Sequence, residues 1–142
     1  MSKIIFLSVL FFVTGLNAMS QCDKKVTWHA SKVDMFDAKG SFLQTKEATI
    51  IVETDPKKVT LSFKESSEDG LEGTVTEKVC DWKKAFADGK TVYHATVSVD
   101  GRTSNATFTV EAKDGKVTVS ADIEMMEGRK FVVYVDTYEE VK

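Results

Sequence analysis

The chain has little of what marks most enzymes and metalloproteins. Its 142 residues include two histidines, two cysteines and a single proline. His29 and His94 are far apart, and neither stands at a zinc-ligand spacing from a second histidine or a cysteine pair. The chain also has no Gly-x-Ser-x-Gly elbow and no glycine-rich phosphate loop. The sequence therefore predicts a non-catalytic protein with no metal ion and no cofactor.

The chain also has no large excess of positive or negative charge. The 19 basic and 22 acidic residues give a formal net charge of −3, and no basic stripe runs along the chain. Without such a stripe there is no cluster of cations to replace the counterions of a nucleic acid. Adjacent acids such as Glu68 and Asp69 are typical of a solvated turn, because glycosidase carboxyls face each other across a cleft. We expect no nucleic-acid partner.

One long apolar run stands at the N-terminus. It follows Lys3, extends from Ile4 to Val13, and is about half the roughly 20 residues that span a bilayer. A cation, an apolar core and then small or polar residues are typical of a secretory signal peptide. With Ala18 and Ser20 before the cut, the sequence predicts a signal peptide over residues 1–20 and a single domain over 21–142. A cut after Ala18 is the alternative. We expect an exported protein, periplasmic or extracellular, with no integral membrane segment after cleavage.

Two cysteines remain after this cleavage. Bacterial lipoprotein signals resemble Leu-x-x-Cys with a small residue before the cysteine, whereas Met19 and Gln21 occupy those positions before Cys22. A lipid-anchored surface form is therefore disfavoured. In an exported chain, Cys22 and Cys80 can form one disulfide, which would stabilise the fold by roughly 4 kcal/mol on the chain-entropy model. The alternative is a buried free thiol at Cys80 with Cys22 in a frayed terminus.

Beyond residue 22 the apolar residues alternate with polar ones. Val59, Leu61 and Phe63 alternate with Thr60, Ser62 and Lys64, and similar rows recur to the end of the chain. This period of two predicts half-buried strands, over about residues 25–36, 47–54, 57–65, 71–80, 90–99, 104–112, 116–125 and 129–139. Residues 81–88 fit either a helical turn or a strand extension.

Short turns separate these strands. Asp114 and Gly115 predict a two-residue type I′ hairpin turn, in which both residues have positive φ. Consecutive strands joined by short turns pair as neighbours, and closure into a barrel removes the exposed edges of the sheet. The sequence therefore predicts an all-β, antiparallel up-and-down meander of about eight strands, as a small barrel or strongly curled sheet. A β-sandwich is the alternative.

The last predicted strand is apolar on both faces. Phe131, Val133 and Val135 fill one face, and Val132, Tyr134 and Tyr138 the other. Such a strand is covered on both sides, by another element, a partner or a ligand. We therefore predict ligand-binding roles for Trp28, Val132, Tyr134 and Tyr138. Met125 and Met126, just before this strand, would suit an adaptable apolar rim.

The chain resembles the small exported lipocalin-like meander proteins of Gram-negative bacteria, whose functions are mostly unassigned. The residues that carry the resemblance are the early Val26-Thr27-Trp28 strand, the Asp-Gly hairpin turns and the N-terminal apolar run. Lipocalins themselves carry Gly-x-Trp on the first strand, and Val26 stands in the position of that glycine. The resemblance implies an up-and-down barrel, and no functional residue is carried over from it.

Two classes of function follow from this fold. The first is a non-catalytic barrel that binds a small apolar ligand or a protein partner, and an apolar void of a few hundred Å3 would distinguish it from a barrel filled by its own side chains. The second is a periplasmic enzyme or enzyme inhibitor that acts through the acidic stretch 64–73. The sequence does not indicate the ligand, the partner or the oligomeric state.

Overall fold

A computed structural model describes residues 21–99 and 101–141, without the side chains of residues 21 and 66–69. The predicted signal peptide over residues 1–20 lies outside the described residues. Within them, eight antiparallel strands close into one barrel. The strands are β1 (Lys25–Phe36), β2 (Phe42–Thr54), β3 (Lys58–Phe63), β4 (Ser66–Lys84), β5 (Asp88–Val99), β6 (Arg102–Lys113), β7 (Lys116–Ile123) and β8 (Lys130–Val141). Short 3-10 turns cover Gln21–Asp23 and Glu124–Met126.

Each strand pairs with its neighbour in sequence, and β1 pairs with β8 to close the ring. The predicted up-and-down barrel is confirmed, and the sandwich alternative is wrong. Strand β7 illustrates why the pattern predicts the fold, since its four apolar residues are buried and the residues between them are not. Because successive side chains of a strand point to opposite faces, these four line the barrel interior: Val117, Val119, Ala121 and Ile123.

The hairpin between β6 and β7 has the predicted turn. Asp114 and Gly115 have φ values of 53° and 78°, and Lys113 pairs with Lys116 across them. Both central residues therefore adopt the positive φ that a type I′ turn requires.

Strand β4 continues further than predicted. Of the two alternatives for residues 81–88, the strand extension is correct as far as Lys84, and the chain then turns through Phe86, which has a φ of 58°. Gly89 is the second residue of β5. A Cβ atom at Gly89 would lie 2.5 Å from both the Asp81 carbonyl oxygen and the Trp82 Cα. Only glycine allows β5 to approach β4 so closely at this point.

The barrel has two ends that differ in their filling. We call the end with the β2–β3, β4–β5 and β6–β7 connections the base, and the opposite end the mouth. Phe108 lies in the interior between them and is 1% exposed. A Cβ atom on Gly73 would lie 3.2 Å from the Phe108 ring, so this glycine leaves the space that the ring occupies.

Candidate functional site

The mouth of the barrel contains a cavity of about 420 Å3, which we call the cup. Seven of the described residues in its wall belong to five different strands or turns and are apolar with long or branched side chains: Val33, Met35, Leu61, Phe63, Leu71, Met126 and Phe131. Gly70, Val99 and Ala121 complete the apolar lining. The cavity lies on the mouth side of Phe108, between the inner faces of the strands.

The rim of the cup is held in place by hydrogen bonds to β6. The backbone N–H of Met125 donates to the Ser104 hydroxyl at 3.0 Å, and the Asn105 amide donates to the Glu124 carboxylate at 3.2 Å. These bonds hold the 3-10 turn Glu124–Met126 over the mouth. The sequence-based expectation of a methionine rim therefore matches the position of Met126, which lines the cup.

Lys46 is the one charged residue among the described side chains that line the cup. It pairs with Val33 across β1 and β2, so both side chains lie on the inner face. The Lys46 Nζ lies 5.4 Å from the centre of the Phe63 ring, which also lines the cup. The ion pairs found among the described side chains do not include Lys46. A positive charge therefore stands at the mouth with no described carboxylate against it.

The base is filled by a buried polar network. The Trp28 indole N–H donates to the Thr54 hydroxyl at 3.0 Å, and the Trp82 indole N–H donates to the Thr91 hydroxyl at 2.7 Å. The Tyr93 hydroxyl joins the two halves through hydrogen bonds with Thr54 and Thr91. Burial raises the pKa of Tyr93 above its ordinary value of 10.0, although these two hydrogen bonds oppose the effect. The base therefore satisfies its buried polar groups internally.

A disulfide closes the same end. Cys22 and Cys80 are bridged, which confirms the predicted pairing, with their Cα atoms 6.1 Å apart. The bridge ties the segment before β1 to β4, and Lys78 reinforces it by donating to the Cys22 carbonyl at 3.0 Å and to the Asp23 carboxylate at 2.7 Å. Such a bridge is compatible with an oxidising compartment.

Two further aromatic rings pack against Trp28 in the base. The Phe86 and Tyr138 rings are stacked 4.4 Å apart, with an interplanar angle of 11°. Both rings contact Trp28, with centroid distances of 5.8 Å and 5.6 Å. The stacked pair therefore packs against Trp28, which is 1% exposed.

The structure separates the four residues to which the sequence assigned ligand binding. Trp28 and Tyr138 lie together in the base. Val132 and Tyr134 lie on the outer wall, where Lys32 Nζ is 5.0 Å from the Tyr134 ring centre. The Tyr134 hydroxyl also bonds Asp34, which raises the pKa of Tyr134. None of these four described side chains lines the cup.

A bulge explains why Tyr134 and Tyr138 lie on different faces. His29 pairs with Thr137, but the next residue, Ala30, pairs with Val135, so β8 has one extra residue between them. An extra residue in one strand reverses the alternation of side chains beyond it. Tyr138 therefore shares the face of Trp28, whereas the unbroken alternation would have placed it with Tyr134.

The acidic stretch 64–73 is mostly part of β4, which begins at Ser66. The Glu65 carboxylate accepts hydrogen bonds from the Thr49 backbone N–H at 3.1 and 3.2 Å. Hydrogen bonding by Thr49 lowers the pKa of Glu65 below its ordinary value of 4.5. The Glu65 carboxylate thus binds β2 at Thr49, next to Ile50, where the pairing of β2 with β3 ends.

Lys46 was missed from the sequence because the predicted second strand began at residue 47. In the structure β2 begins five residues earlier, at Phe42, and its inner row runs through Gln44, Lys46 and Ala48 to Ile50. The row changes from polar to apolar as it enters the barrel. An alternation with polar residues on both faces does not identify a strand by itself.

Comparison with protein-family models, with curated proteins and with solved structures finds no match for this chain. Within residues 21–99 and 101–141, no group of three or more histidine, cysteine or acidic side chains is arranged to hold a metal ion. The described part of the chain contains no helix long and apolar enough to cross a bilayer.

Proposed function

We propose that this protein is a non-catalytic binding protein that holds a small apolar molecule in the cup, and that it works in the periplasm or the extracellular space. The observation that supports the proposal is the cup itself. Its volume of about 420 Å3 lies within the range of roughly 300–1,000 Å3 that is typical of small-molecule pockets. The likeness to exported lipocalin-like meander proteins is part of the same proposal.

The lining of the cup favours an apolar occupant. Phe63, Leu71 and Phe131 offer large apolar surfaces, and each Å2 of apolar surface that a ligand removes from water contributes about 25 cal/mol to binding. Met35 and Met126 have flexible thioether side chains that can adjust to the shape of the occupant. The filled base is separate from the cup, so the cup can accept a ligand without repacking the base.

The first test is the ligand content of the natural protein. The processed chain would be purified from its native host without denaturant, and bound molecules would be released and identified by mass spectrometry. We expect a small apolar molecule at close to one per chain. If none is found, the full processed chain is titrated with N-phenylnaphthylamine, an uncharged apolar fluorophore. Binding would show that the cup was empty after purification, and lack of binding would show that it is not a binding site.

A cup-filling variant then locates the site. Leu71→Trp places a large ring in the cup and should weaken binding of N-phenylnaphthylamine by at least about tenfold, since it occupies the volume that the ligand needs. Val79→Trp is the matched control, because Val79 lies on the same strand but is 48% exposed. Equal affinity in Leu71→Trp and Val79→Trp, or no binding to the unmodified protein, would overturn the proposed function.

A further inference from the structure

We infer that the molecule held in the cup is an anionic single-chain amphiphile, with its apolar tail inside the cup and its charged head beside Lys46. This inference rests on the proposed function and adds the chemical class of the ligand. It comes from the position of one charge in an otherwise apolar lining.

Lys46 lies in the lining of the cup and is exposed to solvent. Its Nζ lies over the Phe63 ring, and both residues line the same cavity. A lysine in this position can lay its methylene stem against the apolar wall and keep its charge in water. The head of a ligand that leaves the cup at the mouth would therefore meet a positive charge, which attracts an anion and repels a cation.

A second polar group lies next to Lys46 in the inner row of β2. The Gln44 amide donates to the Met35 sulfur at 3.3 Å. A thioether is a weak acceptor, so the amide can exchange this bond for one to an anionic oxygen. The nearby Asp34 carboxylate accepts from the Thr45 hydroxyl at 2.6 Å, and this bond lowers the pKa of Asp34. Asp34 is on the outer wall, next to Tyr134, and does not line the cup.

The cup is closed at its inner end by the filled interior, so an amphiphile can enter only with its tail first. Val33, Leu61 and Ala121, which form part of the cup wall, are buried core residues. A lysine acts on an anion as a point charge, without the fixed fork of an arginine. Both a carboxylate and a phosphate monoester fit this description of the head, and the experiment distinguishes them.

The test compares ligands that have the same tail and different heads. Dodecanoate, dodecyl phosphate, dodecanol and dodecyltrimethylammonium would each displace N-phenylnaphthylamine from the full processed chain, below their micelle concentrations. We expect dodecanoate or dodecyl phosphate to bind at least about threefold more tightly than dodecanol, with the advantage reduced at high salt. The stronger of the two anions identifies the head group. We expect dodecyltrimethylammonium to bind most weakly.

Variants of Lys46 complete the test. Lys46→Met removes the charge and keeps the apolar stem, so it should reduce the advantage of the anion over dodecanol to within about twofold. Lys46→Arg should keep that advantage. Lys39→Met is the control, since Lys39 is an exposed lysine in the β1–β2 turn that does not line the cup. Lys39→Met should leave all affinities unchanged.

The outcomes separate this inference from the proposed function. If the four ligands bind equally, or if Lys46→Met keeps the preference for the anion, the inference is wrong while the cup remains a binding site. Preference for dodecyltrimethylammonium would also overturn it. If neither the fluorophore nor any of the four ligands binds, the proposed function fails as well.

Discussion

The base and the cup are built from the same eight strands, but they use their interior positions differently. The base contains two tryptophans, a tyrosine bonded to two threonines and a disulfide. The cup is lined by aliphatic side chains, two methionines, two phenylalanines and one lysine around a cavity of about 420 Å3. A small barrel can be filled by side chains or can hold one ligand, and this protein combines the two solutions along one axis. We therefore expect the base to contribute more to stability than the cup, because side chains that border a void lose packing contacts.

Truncation of a large side chain should show the largest difference in unfolding free energy between the base and the cup. Trp28→Ala should cost about 3–5 kcal/mol of unfolding free energy, because it leaves a cavity and removes a donor from Thr54. Phe131→Ala should cost less than half as much, since Phe131 is only partly buried and already borders empty space. Urea denaturation of the two variants measures both values. Equal losses would mean that the two ends contribute alike to stability.

Removal of the disulfide should be the next largest effect. The Cys22→Ala and Cys80→Ala double variant should lose about 2–4 kcal/mol of unfolding free energy, because the unfolded chain regains the entropy that the bridge removes. Urea denaturation measures the loss. N-phenylnaphthylamine affinity under native conditions should stay within about twofold, since the bridge lies at the opposite end from the cup and a stable fold retains the binding site. A large loss of affinity in a folded variant would show that the base and the cup are coupled.

Alkaline pH should lower the unfolding free energy through Tyr93 in the base. Burial favours the neutral phenol, so the unfolded chain releases this proton near pH 10.0 while the folded protein still holds it. The contribution of the neutral Tyr93 phenol to the unfolding free energy is therefore fully present below about pH 10. It is lost as the pH rises through the raised pKa of Tyr93 in the folded protein. Urea denaturation at increasing pH should show this decline in the unmodified protein and a smaller one in Tyr93→Phe. An identical decline in both would assign the effect to other groups.

Local patterns in the sequence predicted most of the strands, because each strand has one buried face and one wet face. Strand β7 and the turn at Asp114 and Gly115 are the clearest cases, since alternation and turn chemistry agree there. The disulfide could be predicted because a chain with two cysteines has a single intramolecular pairing available. The candidate site was not predictable in this way. Lys46 lies in a part of β2 with polar residues on both faces, and Tyr138 lies beyond a bulge that reverses its face.

The amino-acid sequence by itself determined the all-β class, the order of the strands, the β6–β7 turn and the pair of cysteines that can bridge. The first three depend on interactions between residues that are near in the chain, and the last depends only on the number of cysteines. Only the tertiary structure decided which end of the barrel is filled, where the cup lies and which side chains line it. Those features depend on where a bulge shifts the register and on how far each strand continues past its neighbour. Closure of the ring sets both, because it requires every strand to match two neighbours at once.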